Sequence, residues 1–142
     1  MHRALKPGGR VAAAVWRAID LQPYFAAMDA ALRECVPTDQ ADPYGMPFRW
    51  PRAAELESTF RNERFTSVSV VEVRHPITFE GGIAQALSAL AASPIATTIA
   101  ELDPDTRARL WSAAERRLSP LHAEGQVRTQ MVSNFVTARK AG

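Results

Sequence analysis

Residues 6–16 read KPGGRVAAAVW, and the fold follows from how that stretch is parsed. Lys6-Pro7-Gly8-Gly9 fits a type II turn, with proline at the second position and glycine at the third, where φ must be positive. Arg10 to Trp16 follows. Alanine runs favour helix, but this one is short, flanked by valines and launched from a turn. A short apolar run without alternation reads as a strand covered on both faces, as in α/β sheets. Residues 2–5 then read as the end of a helix, so the sequence is expected to open in the middle of a larger fold.

Working outward, Tyr24 to Cys35 is predicted to be a helix, because Phe25, Met28, Leu32 and Cys35 recur at helical spacing. Residues 36–51, VPTDQADPYGMPFRWP, read as a loop. Pro51 is placed to start a second helix with Ala53, Leu56 and Phe60 inward. Phe65 to Val73 is rich in β-branched residues and reads as a strand ended by His75-Pro76. Gly82 to Leu118 reads as three helices, the second started by Ser93-Pro94 and the third by Asp103-Pro104, each an N-cap followed by proline. Val127 to Ala138 is the last strand, after a break at Gly125. The order is strand, helix, helix, strand, three helices, strand.

The chain has 142 residues, which suits one domain over 1–142. Apolar residues make up 46% and charged residues 23%, ordinary for a globular protein. No stretch has the length and apolarity of a membrane span, and no apolar run of signal length follows Lys6. The single cysteine, Cys35, leaves no internal disulfide and fits a reducing, cytoplasmic setting. The formal charge is +2, and the densest basic stretch, Arg107 to Arg117, reads as a solvated helix face and not a nucleic-acid patch.

Taken together, these segments resemble the back half of class I S-adenosylmethionine-dependent methyltransferases, in the UbiE/methyltransferase-11-like branch. HRALKPGGRVAAAVW (2–16) looks like the family's helix D and fifth strand. PFRWPRAAELESTFRNERFTSVSVVEV (47–73) looks like its pre-helix loop, last short helix and sixth strand. RTQMVSNFVTARK (128–140) looks like its seventh, antiparallel strand, and the helices over 81–119 sit where this branch inserts helices above the acceptor. The resemblance implies an α/β, partial Rossmann-like fold. Its three-stranded sheet would run in the order first–last–middle with the last strand antiparallel, beside five to six helices.

The same resemblance implies that acceptor-side residues come from the loop after the first strand (Trp16, Arg17, Pro23, Tyr24) and the loop before the second (Phe48, Arg49, Trp50). Trp16, Tyr24, Phe48, Arg49 and Trp50 are the substrate-binding candidates. Two aromatics and a cation in the Phe48-Arg49-Trp50 loop are costly to expose without a partner. The family's cofactor rests on a Gly-rich turn after its first strand and on acidic residues. None of the seven glycines here forms G-x-G between a strand and a helix. The chain is therefore expected to bind no cofactor alone, with S-adenosylmethionine the cofactor of the intact family.

No catalytic residue is assigned. Methyl transfer asks mainly for alignment and desolvation, because the sulfonium is already activated. His2, His75 and His122 are isolated, so no metal site is expected. Cys35 continues an apolar helix face, and no serine sits in a G-x-S-x-G elbow.

Three functional readings follow. The first is a truncated methyltransferase-like protein that keeps the acceptor side and is inactive alone. The second is the partner subunit of a split small-molecule methyltransferase, completed by a separate cofactor-binding chain. The third is a non-enzymatic module with an apolar pocket in its helical insert. A small-molecule acceptor is expected in the first two, and neither nucleic acid nor membrane in any. A homodimer is also expected, because the first strand lacks an inner neighbour. Its interface would include Val11, Ala13, Val15 and the helix Tyr24–Cys35.

Overall fold

The structure, a computed structural model, describes residues 2–49, 52–93 and 95–142. The Pro7-Gly8 turn is as expected: Gly8 has φ +70° and Gly9 N donates to Lys6 O at 2.9 Å. It launches β1 (Arg10–Trp16). There follow α1 (Pro23–Cys35), α2 (Thr38–Gly45), α3 (Ala53–Asn62), β2 (Phe65–Phe79), α4 (Gly82–Ser88), α5 (Ala96–Glu101), α6 (Pro104–Leu118), β3 (His122–Ala123) and β4 (Gln126–Lys140). Short 3₁₀ turns precede β1 (His2–Ala4) and α1 (Ile19–Leu21), and join α2 to the next loop (Met46–Phe48). The architecture is α/β with an antiparallel sheet.

The sheet order is β1–β4–β2, with β4 antiparallel to both neighbours. Ala13 and Val70 both face Val136, so β4 is central. The sheet has four strands and not three. β3 pairs with the start of β4, His122 opposite Val127, through a two-residue turn at Glu124-Gly125. Both turn residues have positive φ, 51° and 80°, the backbone of a type I′ hairpin. Gly125 therefore marks a turn within the sheet as well as the end of the helical region.

Three local expectations change. β2 runs on through Pro76 to Phe79. It is an edge strand, paired only with β4 among the described residues, so the amide hydrogen that proline lacks can fall on the unpaired side. Residues 36–51 hold a helix, α2, despite Pro43 inside it. Burial of Ala41 and Tyr44 against α1 compensates the hydrogen bond that Pro43 cannot donate. Ser93 caps nothing: its hydroxyl donates back to Leu90 O at 2.7 Å, and α5 begins at Ala96. Pro94 and Pro51 lie outside the described residues, and α3 starts at Ala53 with Arg52 N donating to Glu55. Asp103 does cap α6, accepting from Thr106 N at 2.9 Å.

β1 is not covered on both faces. Val11, Ala13 and Val15 pack toward α3, in a cluster with Leu56, Phe60, Phe65, Val136 and Ala138. Arg10, Ala12, Ala14 and Trp16 lie on the opposite face and are exposed. That face carries Phe135 and Val71 beside Ala14, 43% and 56% exposed. An alanine exposes too little area to show which face is buried, so the strand reads as uniformly apolar. Farther along β4, this face is covered. Val127 is fully buried in the main core with Met28, Leu32, Ala86, Leu90, Leu110 and Leu118, where α1 packs on α6. The first strand's outer edge pairs with nothing among the described residues.

Candidate functional site

The site grows from the point where β1 ends. Beyond Trp16 only the Arg17 amide continues the ladder, donating to Val132 O at 2.9 Å, before the chain bends through Ile19–Leu21 into α1. Gln22, fully buried, substitutes for the missing strand residue. Its Nε2 donates to Val132 O at 2.6 Å and its Oε1 accepts from Val132 N at 2.8 Å. That pair of bonds continues the ladder with a side-chain amide and fixes the start of α1 on β4. The next residue but one is Tyr24, whose backbone N donates to Thr129 Oγ1 at 3.2 Å. The Tyr24 ring is therefore held over the sheet.

Around it lies a cavity of about 340 Å³. Trp16 of β1, Ile77 and Phe79 of β2 and Met131 of β4 form its floor. Tyr24 and Phe25 of α1, Tyr44 of α2, and Pro47 and Phe48 form one wall, and Ala89, Ala92 and Ser93 the other. The aromatic rings form a connected set. Trp16 meets Phe48 at 6.5 Å, Phe48 meets Phe25 at 4.9 Å, and Phe25 meets Tyr24 edge-on at 5.0 Å. Tyr24 in turn meets Phe79 at 5.0 Å, and Phe25 meets Tyr44 at 6.3 Å. Offset and edge-on contacts of this kind add to area burial and hold rings in fixed planes.

Among the described residues the lining carries no formal charge. The Tyr24 hydroxyl donates to Ala86 O at 2.8 Å, and burial pushes its pKa up to about 12. Burial also raises the Tyr44 phenol, reinforced by the neighbouring Tyr24 and by Asp29. Both phenols therefore stay neutral at physiological pH, and neither is a base there. A pocket of this size and composition suits an uncharged, flat or apolar small molecule.

The structure brings three of the five expected residues together: Trp16, Tyr24 and Phe48 all line the cavity. Arg49 does not. Its guanidinium pairs with Asp42 at 3.1 Å, in a cluster where Arg33 holds Asp42 at 3.0 Å and Asp29 at 2.7 Å. Those two arginines hold the Asp42 carboxyl below the usual carboxylate range. Trp50 lies outside the described residues. Arg17 turns to Glu72 of β2 at 3.0 Å, and Pro23 serves to start α1. The sequence reading missed Phe25, Tyr44, Ile77, Phe79 and Met131. Ile77 and Phe79 were hidden by ending the strand at Pro76, and Tyr44 by treating its helix as a loop. The Val127–Thr129–Met131 alternation does place Met131 on the floor side.

Other chemistry is sparse. Among the described residues no group of three or more histidine, cysteine or acidic side chains could hold a metal ion. Burial raises the Cys35 thiol, so it is not an activated thiolate. No described helix is long and apolar enough to cross a membrane. Comparison of the chain with known protein families and with curated proteins returns no match.

Proposed function

We propose that this chain is the acceptor-side portion of a methyltransferase-like, partial Rossmann-like fold, and that the cavity at the end of β1 takes the methyl acceptor. The reading is carried by one observation: Trp16, Tyr24 and Phe48, chosen from sequence positions that the family resemblance marks as acceptor-side, meet in a single uncharged cavity. The sheet order supports it, with a central antiparallel last strand. The acceptor is then a neutral, largely apolar small molecule, because no described lining residue could balance a charge. Ligands of α/β sheets sit beyond the carboxyl ends of strands, where Trp16 lies.

The chain alone lacks a Gly-rich strand-to-helix turn. It is therefore inactive by itself, and S-adenosylmethionine is held by residues outside 1–142. The split-enzyme reading supplies those residues from a partner chain; the binding-module reading dispenses with them. Genomic sequence upstream of codon 1, read in all frames, separates the three. A strand–Gly-x-Gly–helix coding segment in the same frame supports the first reading, and one in a separate gene supports the second. Neither, combined with tight binding of an apolar ligand, leaves the third. The unpaired outer edge of β1 supports a dimer in which that edge meets a second chain. Within each subunit, Val11, Ala13 and Val15 are already engaged by α3, so backbone groups of β1 would carry the contact.

A further inference from the structure

The opposite end of β1 from the apolar cavity has a different character. β4 runs antiparallel to both neighbours, so its last residues meet the first residues of β1 and β2. This gathers cations that are far apart in sequence. Arg3, Lys6, Arg10, Arg64, Arg139 and Lys140 lie there, and none forms an ion pair among the described residues. In segments 2–10, 63–67 and 137–142 the only acidic side chain is Glu63. The Lys140 ammonium is committed to the carbonyls of His2 and Leu5.

Arg10 and Arg139 stand directly opposite one another across the β1–β4 ladder, with side chains on the open face. Like charges so placed destabilise a sheet unless something neutralises them. Beside them β2 bulges: between Thr66 and Ser69 it has one more residue than β4 spends between Arg139 and Thr137. Ser67 sits in that bulge at φ +50°, a left-handed conformation that a serine adopts at a cost. Arg10, Arg139, Ser67 and Thr137 together line a cleft of about 490 Å³.

We propose that this cleft binds a phosphate group. Two guanidinium groups neutralise the charge, and two hydroxyls offer further donors to a group with several acceptor oxygens. The opposed arginines and the strained serine are then explained by one ligand. The site is separate from the apolar cavity and independent of the reading given for it.

Titration calorimetry with pyrophosphate at low salt tests the proposal. Saturable one-site binding is expected, weakened by roughly tenfold or more in Arg10→Gln/Arg139→Gln. Arg10→Gln alone should weaken it too; it leaves intact the Arg139 Nε bond to Gly8 O, so a folding defect in the double variant cannot mask the answer. Arg107→Gln/Arg109→Gln, which removes two cations elsewhere, should leave it unchanged. A parallel arm uses phosphatidylserine–phosphatidylcholine vesicles. Binding to both probes, each lost with Arg10, identifies a phosphate site open to lipid headgroups; binding to pyrophosphate only identifies a site for soluble phosphates. No pyrophosphate binding, binding to vesicles only, or equal losses in the two double variants would overturn the proposal.

Discussion

Gln22 offers the sharpest test of how the site is held. Replacing it with methionine keeps length and volume but removes both polar atoms. Val132 N then loses its partner and Val132 O one of two, inside a fully buried environment. Arg17 N still donates to Val132 O at 2.9 Å, so the carbonyl keeps one bond and the amide keeps none. A buried backbone group left unpaired costs about 1–3 kcal/mol, and a shared acceptor costs less. The apolar methionine returns part of this by removing a buried amide. A net loss of about 1–3 kcal/mol is expected. At this chain length that is a fall of roughly 2–12 °C in melting temperature. Urea unfolding gives the free energy, and amide exchange gives the location, with the Val132 amide among those accelerated most. Gln22→Glu adds a pH signature. A buried carboxylate facing Val132 O has a folded pKa raised above its unfolded value. Its stability is present below about pH 4 and lost as pH rises through the folded pKa. A Gln22→Met variant within about 0.5 kcal/mol of the parent would refute the idea that this amide continues the ladder.

Asn134 is fully buried on the α3 side, and neither amide atom has a partner among the described residues, so Asn134→Val should raise stability by about 1–2 kcal/mol in urea unfolding. Asp103→Ala should lower the melting temperature, and the difference should shrink as pH falls below about 4. The Thr106 amide depresses this carboxyl's folded pKa, so the stabilisation is present above the unfolded value and lost on acidification. Ultraviolet titration should find the Tyr24 phenol un-ionised beyond pH 10, ionising near its folded pKa of about 12. Because that pKa is raised, the native state loses stability as pH climbs through this window. Light scattering after size exclusion should give a dimer at micromolar concentration, and a clean monomer would mean that the edge of β1 is tolerated unpaired.

Much of the framework is written in local patterns. Pro7-Gly8 sets the turn into β1, the spacing of Met28 and Leu32 sets the inner face of α1, and Asp103-Pro104 starts α6. The places where the sequence misleads share a cause: a local signal outweighed by position in the sheet or by burial. Pro76 stops a central strand but not an edge strand. Pro43 and its polar neighbours suggest a loop, yet Tyr44 and Ala41 anchor a helix by packing on α1. The site is half legible for the same reason. Trp16, Tyr24 and Phe48 follow from strand ends and loop composition. Ile77, Phe79 and Met131 depend on how far β2 and β4 extend, which the pairing between them decides. Arg49 follows its nearest carboxylate, Asp42, which local composition does not place in space.

Trp16, Tyr24 and Phe48 are proposed to enclose an uncharged acceptor site in a chain that does not hold the cofactor itself. Fluorescence titration with the neutral aromatic probe N-phenyl-1-naphthylamine, repeated in the presence of S-adenosylmethionine, tests both halves at once. Saturable binding at one site, unaffected by S-adenosylmethionine, is expected. Phe48→Ala, which deletes the ring between Trp16 and Phe25, should weaken it by roughly tenfold. Absence of saturable binding, indifference to Phe48→Ala, or displacement of the probe by stoichiometric S-adenosylmethionine would contradict the proposal.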